Sequence, residues 1–81
     1  MKLQIGSVVK AAAGRDSEGH FVVTEVHKER CFIANGKSRR LEKPKCKNVK
    51  HIRLTNSVID LNDITDKKLR RLLRDFSGND E

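Results

Sequence analysis

Residues 5–26 read IGSVVKAAAGRDSEGHFVVTEV, and the rest of the chain is organised around this stretch. Val8 and Val9 open a β-branched run that passes through Ala11, Ala12 and Ala13 to Gly14. Arg15, Asp16 and Gly19 then make a polar turn, and a second, largely apolar run from Phe21 to Val26 comes at once after it. Two short β-branched runs about a turn rich in Gly and Asp are the pattern of paired strands. Gly14 stands where the first strand must break, and glycine alone takes a positive φ there without steric cost.

By the same criteria strands are expected over residues 7–12, 20–26 and 30–34, with a tight connection at residues 27–29. The Asn35-Gly36 pair is the strongest hairpin signal in the chain, because a type I′ turn needs positive φ at both central positions. It predicts a fourth strand over residues 37–41. The single proline, Pro44, cannot donate to a ladder and breaks the sheet, so residues 45–49 are expected as one helical turn and residues 51–54 as a fifth strand. Five short strands with turns between them predict a mostly β fold, a small five-stranded barrel whose closure removes exposed edges.

Beyond residue 54 a polar connection carries Val58, Ile59 and Leu61, which are expected to pack back on the sheet. Leu69, Leu72, Leu73 and Phe76 then recur at i, i+3, i+4 and i+7, so a short C-terminal α-helix is expected over residues 66–76. Asp63 or Thr65 can cap it, and Gly78 is expected to stop it. The reading is thus a barrel over residues 1–56 and a connection with an amphipathic helix over 57–81.

Eighty-one residues make one domain. A chain of this size buries only about 60% of the surface its unfolded form exposes. With 36% hydrophobic and 36% charged residues, no Trp and no Tyr, there is material for a thin core and none for a deep catalytic pocket. No Ser-His-Asp or Cys-His arrangement is visible, and no enzyme is expected. No stretch has the length of a membrane span, and Met-Lys-Leu-Gln-Ile lacks the hydrophobic region of a secretory signal, so a cytoplasmic location is expected; separately, a monomer is expected. Cys31 and Cys46 are too few for a disulfide scaffold; Cys31 reads as a small core residue and Cys46 as an incidental thiol. Adding His20, His27 and His51 creates no zinc-ligand spacing, so neither metal nor cofactor is expected.

The formal net charge of +7 is concentrated in one place. Residues 37–53 hold Lys37, Arg39, Arg40, Lys43, Lys45, Lys47, Lys50 and Arg53 against Glu42 alone, while the flanking parts nearly cancel. A dense run of one sign repels itself unless a polyanion relieves it, which makes a phosphate backbone the natural partner. The three aromatic rings that could stack on bases, Phe21, Phe32 and Phe76, all sit where burial is expected. No helix-turn-helix or zinc-finger pattern offers an element to the DNA major groove. There remains recognition of a folded RNA by its backbone and shape.

Gly6, Val8, Val9, Gly14, Arg15, Asp16, Phe21, Val22 and Val23 together resemble the KOW motif of ribosomal proteins and transcription elongation factors. Residues 34–52, ANGKSRRLEKPKCKNVKHI, are similar to the segment C-terminal to that motif in the ribosomal L-fourteen-e family and in small bacterial KOW-containing RNA-binding proteins. The resemblance covers roughly residues 5–54. It implies an SH3-like barrel, contact with ribosomal RNA or the ribosome, and a role in translation. The helical part is shorter here than in the ribosomal family, which suits an accessory factor better than a constitutive ribosomal protein. The expected RNA contacts are Arg15, Lys37, Arg39, Arg40, Lys43, Lys45, Lys47, Lys50, His51 and Arg53.

Two other readings compete. The barrel and helix could form a protein-interaction module for a transcription or translation factor. The helix, with Lys67, Lys68, Arg70, Arg71 and Arg74 beside a leucine stripe, resembles a membrane-surface helix. Its interspersed aspartates and narrow stripe favour docking on its own barrel or on a partner protein, and no membrane partner is expected.

Overall fold

Val8-Val9 and Val22-Val23 lie side by side in two antiparallel strands, β1 (Ser7–Ala11) and β2 (His20–His27), with Val8 opposite Val22 and Val9 opposite Phe21. Neighbouring residues on a strand point to opposite faces, so fully buried pairs of this kind require cover on both sides of the sheet. The computed structural model describes residues 3–11 and 19–79, the side chains of 77–79 excepted, and shows how each side is covered.

β3 (Arg30–Ala34), β4 (Lys45–Asn48) and β5 (Ile52–Val58) complete one antiparallel sheet in the order β4-β3-β2-β1-β5, and a helix, α1 (Asp66–Asn79), comes after them. On one face Val9, Ala11, Phe21, Val23, Cys31 and Ile33 form a buried cluster flanked by Leu3, Val49 and Ile52. On the other, Val8, Val22 and Ala34 meet Leu69 and Leu73 of α1, with Leu41, Ile59, Leu61, Ile64 and Phe76 around them.

The first face is covered by the sheet's own curvature. A flat sheet would hold the β4 and β5 edges about 19 Å apart, at about 4.8 Å per strand interval. Only the 3-10 turn Val49–His51 joins the two strands, and a link of that length reaches at most about 14 Å. The sheet therefore coils into a barrel-like shape. β4 and β5 remain its edges in the described pairings.

β3 falls where expected and β2 runs one residue longer, while β1 matches its expected span up to Ala11; Ala12 lies outside the described residues. The fourth strand does not form over residues 37–41. Asn35 competes with the ladder: its side-chain oxygen accepts from the Lys37 and Arg39 amides, each at 2.9 Å. The Asn35 and Gly36 amides meanwhile donate to the Arg39 carbonyl at 2.8 and 2.9 Å. Of the pair, Gly36 alone has positive φ, so the type I′ hairpin is replaced by a closed loop. The strand forms instead at β4, over the residues expected as a helical turn, and Pro44 merely precedes it. The fifth strand is longer than expected and runs from Ile52 to Val58.

β5 is held by side chain as well as backbone. Its pairing with β1 shifts register between Ser7 and Val9, and there the Thr55 hydroxyl donates to the Val8 carbonyl at 2.8 Å. Ile59 and Leu61 pack back as expected, but Val58 stays 54% exposed because it ends an edge strand. Thr65 caps α1: its hydroxyl accepts from the Lys68 amide at 3.2 Å and its carbonyl from the Leu69 amide at 2.8 Å. The helix continues through Gly78 to Asn79; glycine inside a helix costs only about 1 kcal/mol.

Candidate nucleic-acid interface

The basic segment folds as one strip with three kinds of local support. Lys37, Arg39, Arg40 and Lys43 lie on the loop between β3 and β4, Lys45 and Lys47 on β4, and Lys50 and His51 in the 3-10 turn after it. The loop is pinned at both ends to α1. The Leu41 amide donates to the Asp66 carboxylate at 2.8 Å, and the Arg70 guanidinium donates to the Gly36 carbonyl at 2.6 Å. In the turn, Asn48 accepts from the Lys50 amide at 2.9 Å. Side chains on such a frame lose less freedom on meeting a ligand than side chains on a tail.

The strip is not uniform. Lys37, Arg40, Lys43, Lys50 and His51 are exposed, while Arg39, Lys45 and Lys47 are half-buried. Lys47 stands opposite Cys31 and Lys45 opposite Ile33, so both lysine stems leave the edge strand on the face of the first apolar cluster. Lysines on an edge strand also block pairing with another sheet, which is a structural reason for their presence. No ion pair joins Lys37, Arg40, Lys43, Lys50 or Arg53 to another described residue; the ion pair of His27 with Glu25, at 3.2 Å, lies elsewhere.

Arg53 is set apart from the strip. It stands opposite Lys10, and Lys10 stands opposite His20, so three basic residues form a row across β5, β1 and β2. Lys10 and Arg53, directly opposed, are like charges, an arrangement unfavourable by up to about 1 kcal/mol. His20 is buried with its ring 6.1 Å from that of Phe76, which places the row near the C-terminal half of α1. Lys10 was not legible as a member of any site, since a single lysine in a strand carries no signal until the register is known. Arg15, with Gly14 and Asp16, lies outside the described residues.

Of the aromatic rings, Phe21 is fully buried, whereas Phe32 and Phe76 are half-buried. Phe32 meets His27 edge-on at 5.8 Å.

Cys31 is fully buried and Cys46 exposed, both as free thiols. Burial, with a smaller contribution from nearby Cys46, pushes the Cys31 thiol above its ordinary value of 9.0. A raised pKa favours the protonated folded state, so this contribution to stability is intact below pH 9.0 and is lost as pH rises through the folded value. A maleimide should therefore modify Cys46 rapidly in the native protein and Cys31 only after denaturant is added. Mass mapping that finds equal labelling would contradict the burial of Cys31.

Among the described residues, no group of three or more His, Cys, Asp or Glu side chains gathers to hold a metal ion, and no helix is long and apolar enough to cross a membrane. The chain matches no protein-family model, and no curated protein is significantly similar to it.

Proposed function

We propose that this chain is a non-catalytic RNA-binding module of the KOW type that docks on structured RNA, with ribosomal RNA as its first candidate. The observation that carries the reading is the strip of residues 37–51. It concentrates most of the excess positive charge on a framed surface whose exposed cations Lys37, Arg40, Lys43 and Lys50 meet no carboxylate among the described residues. The mechanism is electrostatic: each cation that neutralises a phosphate releases a counterion, and the fixed frame sets which phosphates can be reached together. The half-buried Phe32 and Phe76 and the buried Phe21 present no open stacking platform, which supports backbone recognition over base reading.

A protein partner is the second reading, and one observation favours it. Ile5 and Val58, 58% and 54% exposed, lie together beside Ile59, Asp60, Leu61 and Asn62 in a shallow groove. The apolar stripe of α1, by contrast, is largely used inside the molecule, with Leu69 and Leu73 buried against the sheet.

Crosslinking in cells and sequencing of the bound RNA separates the readings, and enrichment of ribosomal RNA is the expected result. With purified protein and a structured RNA, about five phosphate contacts should give a slope of log K against log salt of about −4. A slope near zero would show that the strip is not used on a polyanion. RNA binding without ribosomal enrichment would remove the ribosome and leave the rest.

A further inference from the structure

Counted along the sequence, the C-terminal segment is nearly neutral, and its cations read as a solvated or membrane-facing helix surface. The fold rearranges them. At about 100° per residue, Leu69 and Leu73 mark the face of α1 that lies on the sheet. Asp66 and Arg70 come next on one flank, and these are the two residues that hold the basic loop, through the Leu41 amide and the Gly36 carbonyl. Continuing round the helix from Arg70, an arc of about 100° carries Arg74, Lys67 and Arg71, all exposed. Lys68 and Asp75 fall beyond it, toward the opposite flank.

The cationic arc therefore begins at the point where the loop carrying Lys37 and Arg40 is tied to the helix. Neither Lys67, Arg71 nor Arg74 has an ion pair with a described residue. We infer that this arc of α1 is a continuation of the RNA surface, so that the surface runs from Lys37, Arg40 and Lys43 of the loop onto Lys67, Arg71 and Arg74. This rests on the proposed RNA-binding function and deepens it. The occupant is a phosphate backbone broad enough to lie across both a loop and a helix flank, as a folded RNA offers and a single extended strand does not. Charge argues against mutual neutralisation as the purpose of the contact, because cations of the loop and cations of the helix are brought together without a matching set of acids between them. Asp66, the carboxylate at the junction, is engaged by the Leu41 amide.

The test uses the full chain, a labelled RNA hairpin, and vesicles of phosphatidylserine and phosphatidylcholine. In the variant Lys67→Glu/Arg71→Glu/Arg74→Glu, hairpin affinity should fall at least about tenfold, and the salt slope should become shallower by about 2, as expected for about three lost phosphate contacts. The neutral variant Lys67→Gln/Arg71→Gln/Arg74→Gln should show the same change in slope with a wild-type melting curve, which separates lost contacts from lost fold. If both variants bind the hairpin with wild-type affinity and slope while Arg40→Glu/Lys43→Glu abolishes binding, α1 lies outside the interface and the RNA reading alone survives. If the wild-type chain binds no hairpin at any salt concentration, both readings fall together. Vesicle binding that is lost in the helix variants, with hairpin binding unchanged, would assign the arc to a membrane surface and overturn the inference.

Discussion

Gly36→Val should lower the melting temperature by at least about 10 °C, whereas Gly19→Val should lower it by much less. Both glycines have positive φ, 76° and 80°, so both substitutions carry the left-handed penalty of about 1–2 kcal/mol. They differ in what a side chain would meet. A β-carbon at Gly19 has open space around it, while one at Gly36 would overlap the carbonyl oxygen of Asp66. Relieving that overlap costs a further 1–3 kcal/mol or so, and it moves the loop away from the bonds to Asp66 and Arg70 that hold it. A domain of this length has roughly 4–12 kcal/mol of stability in all, and each kcal/mol corresponds to about 4–8 °C. Thermal unfolding of the two variants side by side isolates the contact. Equal losses would mean that Gly36 serves only its own turn and not the docking of the loop on α1.

The second large effect is on binding. Reversing Lys37, Arg40, Lys43 and Lys50 to glutamate changes the formal net charge from +7 to −1. All four side chains are exposed and none has an ion pair with a described residue, so the fold should persist. Arg39, Lys45 and Lys47 are poorer choices, because they are half-buried and their reversal would disturb packing along with charge. If each lost phosphate contact is worth about 1 kcal/mol, affinity for a structured RNA should fall by roughly a thousandfold. Circular dichroism and a melting curve establish that the variant is folded. A folded variant that keeps wild-type affinity would remove the strip from the function.

Much of this architecture could be read from residue patterns. The β-branched pairs at Val8-Val9 and Val22-Val23 placed β1 and β2, the Leu69-Leu73-Phe76 spacing placed α1, and β3 was placed to the residue. The segment between them departs from its residue pattern. β4 reads Lys-Cys-Lys-Asn, which has no apolar alternation because an edge strand of a coiled sheet is only partly covered. Asn35-Gly36 carried a strong hairpin signal, but the side-chain bonds of Asn35 and the docking of Gly36 on Asp66 are tertiary effects that local propensity does not contain. The site was legible as charge and illegible as shape. Sequence position grouped Arg53 with the strip, while strand register placed it beside Lys10. It also kept the α1 cations apart from the loop, to which the fold delivers them.

The doubled valines carry a consequence for how the protein comes to exist. With Val8 and Val22 aimed at one layer and Val9 and Val23 at the other, a half-finished molecule always has one greasy side open to water. The missing layer arrives from Leu69 and Leu73, far along the chain from Val8, so loop closure over most of its length must precede the reward. A chain emerging from its N-terminus therefore cannot close its second layer until the α1 segment is present.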